Sequence, residues 1–216
     1  MSDNPRVRVK ICGITRVEDG LCVAHAGADA IGLVFHEPSS RHVSIEQAAR
    51  IVAELPAFVS VVGLFVNEPA SLVREVMAQV PLDVLQFHGE EAPDYCASFG
   101  RRYIKAVRMR ESVDLIAQSR TYARASALLV DAYSPLMAGG TGQTFDWNLL
   151  PAQLDMPMIL AGGLSPDNVT DAIRQVRPWG VDVSGGVEVQ DEQGKPVGGI
   201  KSPAAIEAFL EGVTSV

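Results

Sequence analysis

The chain predicts an α/β fold, a single-domain (β/α)8 TIM barrel with eight parallel strands over residues 1–216. Three observations lead there. Short apolar runs alternate eight times with stretches of helical spacing, and composition does not shift between them. Such alternation builds parallel strands joined by right-handed crossovers. The length of 216 residues suits one barrel. The competing fold, an open doubly wound sheet, normally carries a Gly-rich dinucleotide turn after its first strand, and Cys12-Gly13-Ile14-Thr15 is not a GxGxxG.

Val7 to Cys12 is a β-branched run ending on a thiol before a glycine, and Glu18 to Ala26 follows with apolar residues at helical spacing and Gly27 as its stop. Ala30 to Phe35 is continuously apolar, as in a strand buried on both faces. A polar loop from His36 to Val43 precedes a helix that Ser44 caps and that runs to about Leu55, with Gln47 placed to complete a capping box. The unit then repeats: a strand at Phe58 to Val66, a helix opened by Pro69 and ending near Val80, a strand at Asp83 to Phe87, a short helix at Ala92 to Ser98. Tyr103 to Val107 and Ala127 to Val130 are strands, separated by a weaker helical segment from Ser112 to about Tyr122. A Gly-rich loop after Asp131 leads to a short helix after Asp146. Met158 to Ala161 and Val181 to Val183 are the last strands, with helices at Pro166 to Val176 and Ser202 to Gly212.

Composition narrows the function classes. Hydrophobic residues make up 47%, enough for a substantial core, and 18 basic against 26 acidic side chains leave a net charge of −8. Nucleic acid and anionic membrane both require a basic footprint, so neither is expected as a partner. A small anionic ligand needs only a few local donors. Cys12, Cys22 and Cys96 are too few and too dispersed for a disulfide framework or zinc ribbon, and Met1 to Pro5 carries no apolar targeting segment, so a reduced, cytoplasmic, soluble protein is expected.

Barrel active sites are built from the loops that follow the strands. The candidates are Cys12 after strand one, Arg41 after strand two, His88 after strand four and Asp131 after strand six, with Gly162-Gly163 and Ser184-Gly185-Gly186 after strands seven and eight. Two glycine turns on the final strands suit phosphate, because glycine lets several backbone N–H groups approach one anion. Gly140, Thr141 and Gly142 are placed to add donors or a lid. Cys12 and Asp131, on strands far apart around the ring, face opposite sides of a small substrate, an arrangement for general acid–base isomerisation. Arg41 is a fork for a carboxylate. His88 is expected to orient rather than react, and Lys105, inside strand five, looks one layer too deep for a Schiff base. Convergence of His36, His42 and His88 on a metal finds no support in their spacing, so no metal or cofactor is expected.

The blocks Lys10-Ile11-Cys12-Gly13-Ile14-Thr15, Gln86-Phe87-His88-Gly89-Glu90-Glu91, Gly139-Gly140-Thr141-Gly142 with Phe145-Asp146-Trp147, Ala161-Gly162-Gly163-Leu164, and Val181-Asp182-Val183-Ser184 running on to Gly186-Val187-Glu188 resemble, in order and over essentially the whole chain, the phosphoribosylanthranilate isomerase family of tryptophan biosynthesis. The resemblance implies a cofactor-free Amadori rearrangement of an aminoaldose to an aminoketose. It implies Asp131 as general acid, Cys12 as general base, Arg41 on the anthranilate carboxylate, and Gly162, Gly163, Ser184, Gly185 and Gly186 on the phosphate. Family members commonly carry a second serine where this chain has Gly185, which implies at most weakened phosphate binding. Three other readings stay open: a metal-dependent pentose-phosphate epimerase, a non-catalytic phosphate-binding subunit, and the same chemistry run also on a related aminoaldose phosphorylated at both ends. The partner expected is a small phosphosugar, and the chain is expected as monomer or homodimer.

Overall fold

The computed structural model describes residues 6–110, 112–132 and 145–216. Its strands β1 (Arg8–Cys12), β2 (Ala30–Val34), β3 (Ser60–Phe65), β4 (Val84–Phe87), β5 (Tyr103–Met109), β6 (Ala127–Ala132), β7 (Met158–Leu160) and β8 (Gly180–Val183) pair in sequence order, all parallel, and β8 returns to β1 to close the barrel. The expected eight-stranded barrel is therefore observed. Among the described residues seven α-helices surround it: α1 (Val17–His25), α2 (Ile45–Ala53), α3 (Ala70–Gln79), α4 (Pro93–Ala97), α5 (Leu115–Thr121), α6 (Val169–Val176) and α7 (Pro203–Thr214). None is long and apolar enough to cross a membrane.

Alternation along each strand sorts the apolar side chains into two cores. Val9, Ile11, Ile31, Leu33, Leu85, Phe87, Leu128 and Val130 point outward and pack with the helices. Val62, Ile104, Ala106, Ala127, Leu129, Ile159 and Ala161 fill the barrel interior. Above them Cys12, Val34 and Leu64 form a third cluster, with Val66 against it. The interior is thus packed below, and only its upper layer is available for chemistry.

Side-chain caps begin three of the seven described α-helices. Ser44 Oγ accepts from Gln47 N at 3.1 Å, as the capping box requires, but the reciprocal half is absent: Gln47 Nε2 donates instead to the Thr15 carbonyl, tying α2 to the loop after β1. Asp114 caps α5 through Ile116 N and Ala117 N, and Ser202 caps α7 through Ala205 N. The helix expected from Pro166 begins only at Val169, because Asn168 first closes a turn, accepting from Ser165 N and donating to the Gly163 carbonyl.

Three departures from the sequence reading have clear causes. The short helix after Asp146 is one 3-10 turn, Trp147–Leu149. Between β8 and α7 the chain forms an unexpected antiparallel hairpin, β9 (Glu188–Gln190) with β10 (Pro196–Lys201), turned by Asp191 Oδ1 accepting from Gln193 N and Lys195 N with Gly194 at positive φ. Phe58 does not start β3. It lies in a turn at φ 72° and is fully exposed, so its backbone is strained and its ring packs on nothing. Replacing Phe58 with Asn, which tolerates the left-handed region, should raise unfolding stability by about 1 kcal/mol in urea titration, with activity unchanged.

Candidate active site

Strand period two sends Lys10 and Cys12 from β1 to the same inner face. Cys12 is 5% exposed at the floor of the pocket that opens at the barrel mouth. Facing it in register on β2 is Gly32, where a Cβ would stand 2.6 Å from Cys12 Sγ. The glycine is therefore what gives the thiol its space. Gly13, at φ 75°, does the same for Arg41: a Cβ there would meet Arg41 Cδ at 2.6 Å. The arginine stem consequently lies across the Cys12-Gly13 turn.

Lys10 Nζ, beneath the thiol, donates to Asp182 Oδ1 at 2.7 Å, both side chains buried. Burial pushes the Cys12 thiol above its ordinary range and Asp182 pushes it the same way, whereas the Lys10 ammonium opposes both. Burial alone would pull Lys10 down, but Asp182 and Cys12 hold it above its usual value, so the cation stays charged under the thiol.

On the opposite wall, Asp131 ends the inward row of β6. Its Oδ1 accepts from Ala132 N at 2.9 Å, and its Oδ2 lies 3.1 Å from His88 Nε2. His88 Nδ1 in turn lies 3.0 Å from Gln86 Nε2, whose inward position two residues earlier on β4 follows from the strand period. Gln86 Oε1 is buried and, among the described residues, has no partner.

The two glycine turns meet each other and the acid. Gly162 and Gly163 both have positive φ, and among the described residues their amides meet no acceptor. A Cβ on Gly162 would lie 2.8 Å from Asp131 Oδ1, and one on Gly186 would lie 1.9 Å from the Leu164 carbonyl oxygen, so these positions need glycine on steric grounds as well. Gly185, Gly186 and Val187 form a 3-10 turn after β8. The Ser184 hydroxyl donates to the Cys12 carbonyl at 3.0 Å, so its proton is directed to β1.

The structure thus brings Cys12, Arg41, His88, Asp131, Gly162, Gly163, Ser184, Gly185 and Gly186 around one pocket. Gly140, Thr141 and Gly142 lie outside the described residues. Lys105 is not a layer deeper inside the barrel. It faces outward from β5, where it pairs with Glu91 at 3.0 Å and donates to the Phe87 and Gly89 carbonyls, too far round the strand to meet a substrate. His36 pairs with Glu68 and His88 with Asp131, and among the described residues no three His, Cys, Asp or Glu side chains converge as a metal site.

Sequence reasoning passed over Lys10 and Asp182, although a charge at an inward position of a strand was the available signal. It also passed over Glu188 and Lys201. Glu188 takes Arg41 Nε and Nη2 at 2.7 Å each, and Lys201 Nζ stands 3.0 Å from the same carboxylate. No local signal marked Lys201, because the hairpin that carries it was not foreseen.

A closed parallel barrel whose mouth gathers a thiol, a carboxylate and a glycine turn whose amides, among the described residues, meet no acceptor belongs to the class of barrel enzymes that act on small molecules at the strand ends. Comparison with known proteins makes this specific. The family described as N-(5'phosphoribosyl)anthranilate (PRA) isomerase matches residues 9–211. The N-(5'-phosphoribosyl)anthranilate isomerase of Alcanivorax borkumensis is 55% identical over 206 residues, covering 95% of this chain and 94% of its own. The crystal structure of phosphoribosyl anthranilate isomerase from Thermotoga maritima superposes with a TM-score of 0.86 at 40% identity, over 97% of this chain and 100% of that one. A further phosphoribosyl anthranilate isomerase structure, in complex with reduced 1-(o-carboxyphenylamino)-1-deoxyribulose 5-phosphate, matches with a TM-score of 0.80 at 36% identity over 97% and 100% of the two chains. The chain belongs to the N-(5'-phosphoribosyl)anthranilate isomerase family.

Two outcomes follow from the geometry around the thiol. Gly32→Ala should cost about 1–3 kcal/mol of stability by overpacking and displace Cys12, with turnover falling further than the Tm shift accounts for. Alkylation of Cys12, followed by peptide mass, should accelerate as pH climbs through and beyond the ordinary thiol range, since only the thiolate reacts. Lys10→Met should move that midpoint higher still, because it removes the cation that opposes burial.

Proposed function

We propose that this chain isomerises N-(5'-phosphoribosyl)anthranilate to 1-(2-carboxyphenylamino)-1-deoxyribulose 5-phosphate, acting as one domain on a small phosphosugar. The observation that carries the reading is the placement of Cys12 and Asp131 across a single pocket, in a chain of this family. The reduced product bound by the related structure has the anionic groups for which this pocket has donors. We further take it to be a cytoplasmic enzyme, a monomer or homodimer, with neither nucleic acid nor membrane as partner.

In this mechanism Asp131 protonates the furanose ring oxygen. The C1'–O bond breaks, and the nitrogen lone pair forms the C1'=N bond of a Schiff base. The Cys12 thiolate then takes the proton from C2', the C–H electrons move into a C1'=C2' bond, and the nitrogen recovers its lone pair. The enolamine tautomerises to the ketone. Protons are moved and no electrons are gained or lost overall, so acid and base suffice to balance the reaction.

The surroundings suit both roles. Lys10 is the cation that favours the Cys12 thiolate once substrate is bound. His88 stands between Asp131 and an amide that can present it either a donor or an acceptor. With Gln86 Nε2 donating to Nδ1, His88 donates from Nε2 to the carboxylate. With the amide turned over, Nδ1–H donates to Gln86 Oε1 and Nε2 accepts the proton that Asp131 carries. The phosphate goes to the amides of Gly162 and Gly163 and the turn from Ser184 to Gly186, where backbone rather than the Ser184 hydroxyl does the binding. Gly185 keeps its N–H in that role. Arg41 takes the anthranilate carboxylate.

The decay of phosphoribosylanthranilate fluorescence tests the assignment. Wild type should turn over in the presence of EDTA, and Cys12→Ser and Asp131→Asn should each lose on the order of a hundredfold or more in kcat. No turnover by folded wild type overturns the activity, and full activity in both variants overturns the acid–base pair.

A further inference from the structure

Arg41 is not a free fork waiting for a carboxylate. Its Nε and Nη2 are already held, at 2.7 Å each, by Oε1 and Oε2 of Glu188 from the β9–β10 hairpin. That leaves three of the guanidinium's five N–H groups, and among the described residues none of the three has a partner. They lie on the end formed by Nη1 and the second hydrogen of Nη2, a second fork at an angle to the first. Arg41 lines the pocket, whereas the Glu188 side chain is fully buried behind it.

A buried carboxylate so close to a substrate-binding arginine would ordinarily cancel its charge. Here a second cation prevents this. Lys201 Nζ, also fully buried, lies 3.0 Å from Glu188 Oε1, and Gly199 N donates to the same oxygen at 2.9 Å. Burial and the Arg41 cation lower Lys201 from its usual value and the contact with Glu188 opposes them; with that ion pair formed, the cluster of Arg41, Glu188 and Lys201 carries one net positive charge, which one substrate carboxylate would neutralise. Burial alone would raise Glu188, but Arg41 and Lys201 outweigh it and keep it ionised. Lys201 also donates to the Ser184 carbonyl at 3.1 Å, so the hairpin is anchored to the strand end beside Cys12.

We propose that Glu188 is a positioning residue for the substrate carboxylate: it clamps Arg41 by one edge so that the other edge faces the pocket in a single orientation, while Lys201 supplies the compensating charge that lets the clamped arginine still bind an anion. The proposal rests on the reading of Arg41 as the carboxylate ligand and deepens it. Its energetic content is preorganisation. An unclamped arginine samples many rotamers and must lose them on binding, whereas the clamped one has lost them on folding. Glu188 itself touches neither Cys12, Asp131 nor the phosphate turn, so the clamp bears on substrate affinity and leaves the proton transfers alone.

Glu188→Asp tests this with every charge retained, because the shorter carboxylate cannot reach both nitrogens of the fork. KM should rise about tenfold, the scale expected for freeing one long side chain, with kcat within threefold of wild type and the inhibition constant for inorganic phosphate unchanged. The pair Glu188→Gln with Lys201→Met is the second variant. It keeps the net charge of the cluster at that of wild type, leaves one acceptor where there were two, and should show the same rise in KM. A KM within twofold of wild type in either folded variant overturns the proposal. So does a rise in KM matched by weaker phosphate inhibition in Glu188→Asp, which keeps Lys201 and its bond to the Ser184 carbonyl, because it would mean that the pocket had loosened as a whole. Absence of turnover in wild type would instead overturn the activity on which the proposal stands.

Discussion

Lys10 and Asp182 meet where the first strand of the barrel pairs with the last. They are register partners across the seam that closes the sheet, and both are buried. Breaking a buried pair by removing one partner typically costs about 3–5 kcal/mol, because the remaining charge stays desolvated and alone. The pair therefore penalises any closure in which β8 slips against β1. The same ammonium lies under the Cys12 thiol, where it opposes the upward push that burial gives that group. Closure of the barrel and the surroundings of the thiol share one interaction.

Carboxylates tie neighbouring strands and loops together at both ends of the barrel. At the lower rim Asp29, just before β2, accepts from Val9 N of β1, and Asp83, just before β4, accepts from Val61 N of β3. At the upper rim Glu91 gathers Asn67 N, Gly89 N and Lys105 Nζ, binding the loops after β3 and β4 into one piece and steadying the segment that carries His88. Glu188 does the corresponding work after β8, and Asp19 joins the pattern by accepting from Lys201 N. Loops at a barrel mouth have little apolar area to bury, so charged hydrogen bonds supply the rigidity that a core supplies elsewhere. The three that are buried, Glu91, Glu188 and Asp19, each have a fixed cation and at least one backbone N–H donor, as burial of a charge demands.

Much of the site was readable before any coordinates because strand ends in a barrel converge by topology. Once eight βα units are counted, Cys12, Arg41, His88, Asp131 and the two glycine turns must face one mouth, and all of them line the observed pocket. The glycines were read as phosphate donors, but Gly162 and Gly186 are also required by contacts with Asp131 and Leu164 that no sequence window contains. Lys105 shows the opposite case. Depth along the strand was judged, but not which face the residue took, and a shift of one residue moves a side chain to the other side of the sheet. The hairpin of β9 and β10 was missed because β9 has only three residues and β10 carries a proline and two adjacent glycines, with no apolar alternation to mark either.

By itself, then, the sequence determined the succession of strands and helices, the barrel they close into and the residues at the strand ends, since periodicity and topology are properties of the chain order. Only the tertiary structure decided which charges are partners. Lys10 finds Asp182, Arg41 and Lys201 share Glu188, and His88 reaches Asp131, each across long separations in sequence. Such pairings depend on register, on facing and on the space left by glycines such as Gly32 and Gly13. Those are distances in the folded state, and hydrophobic patterning along the chain does not encode them.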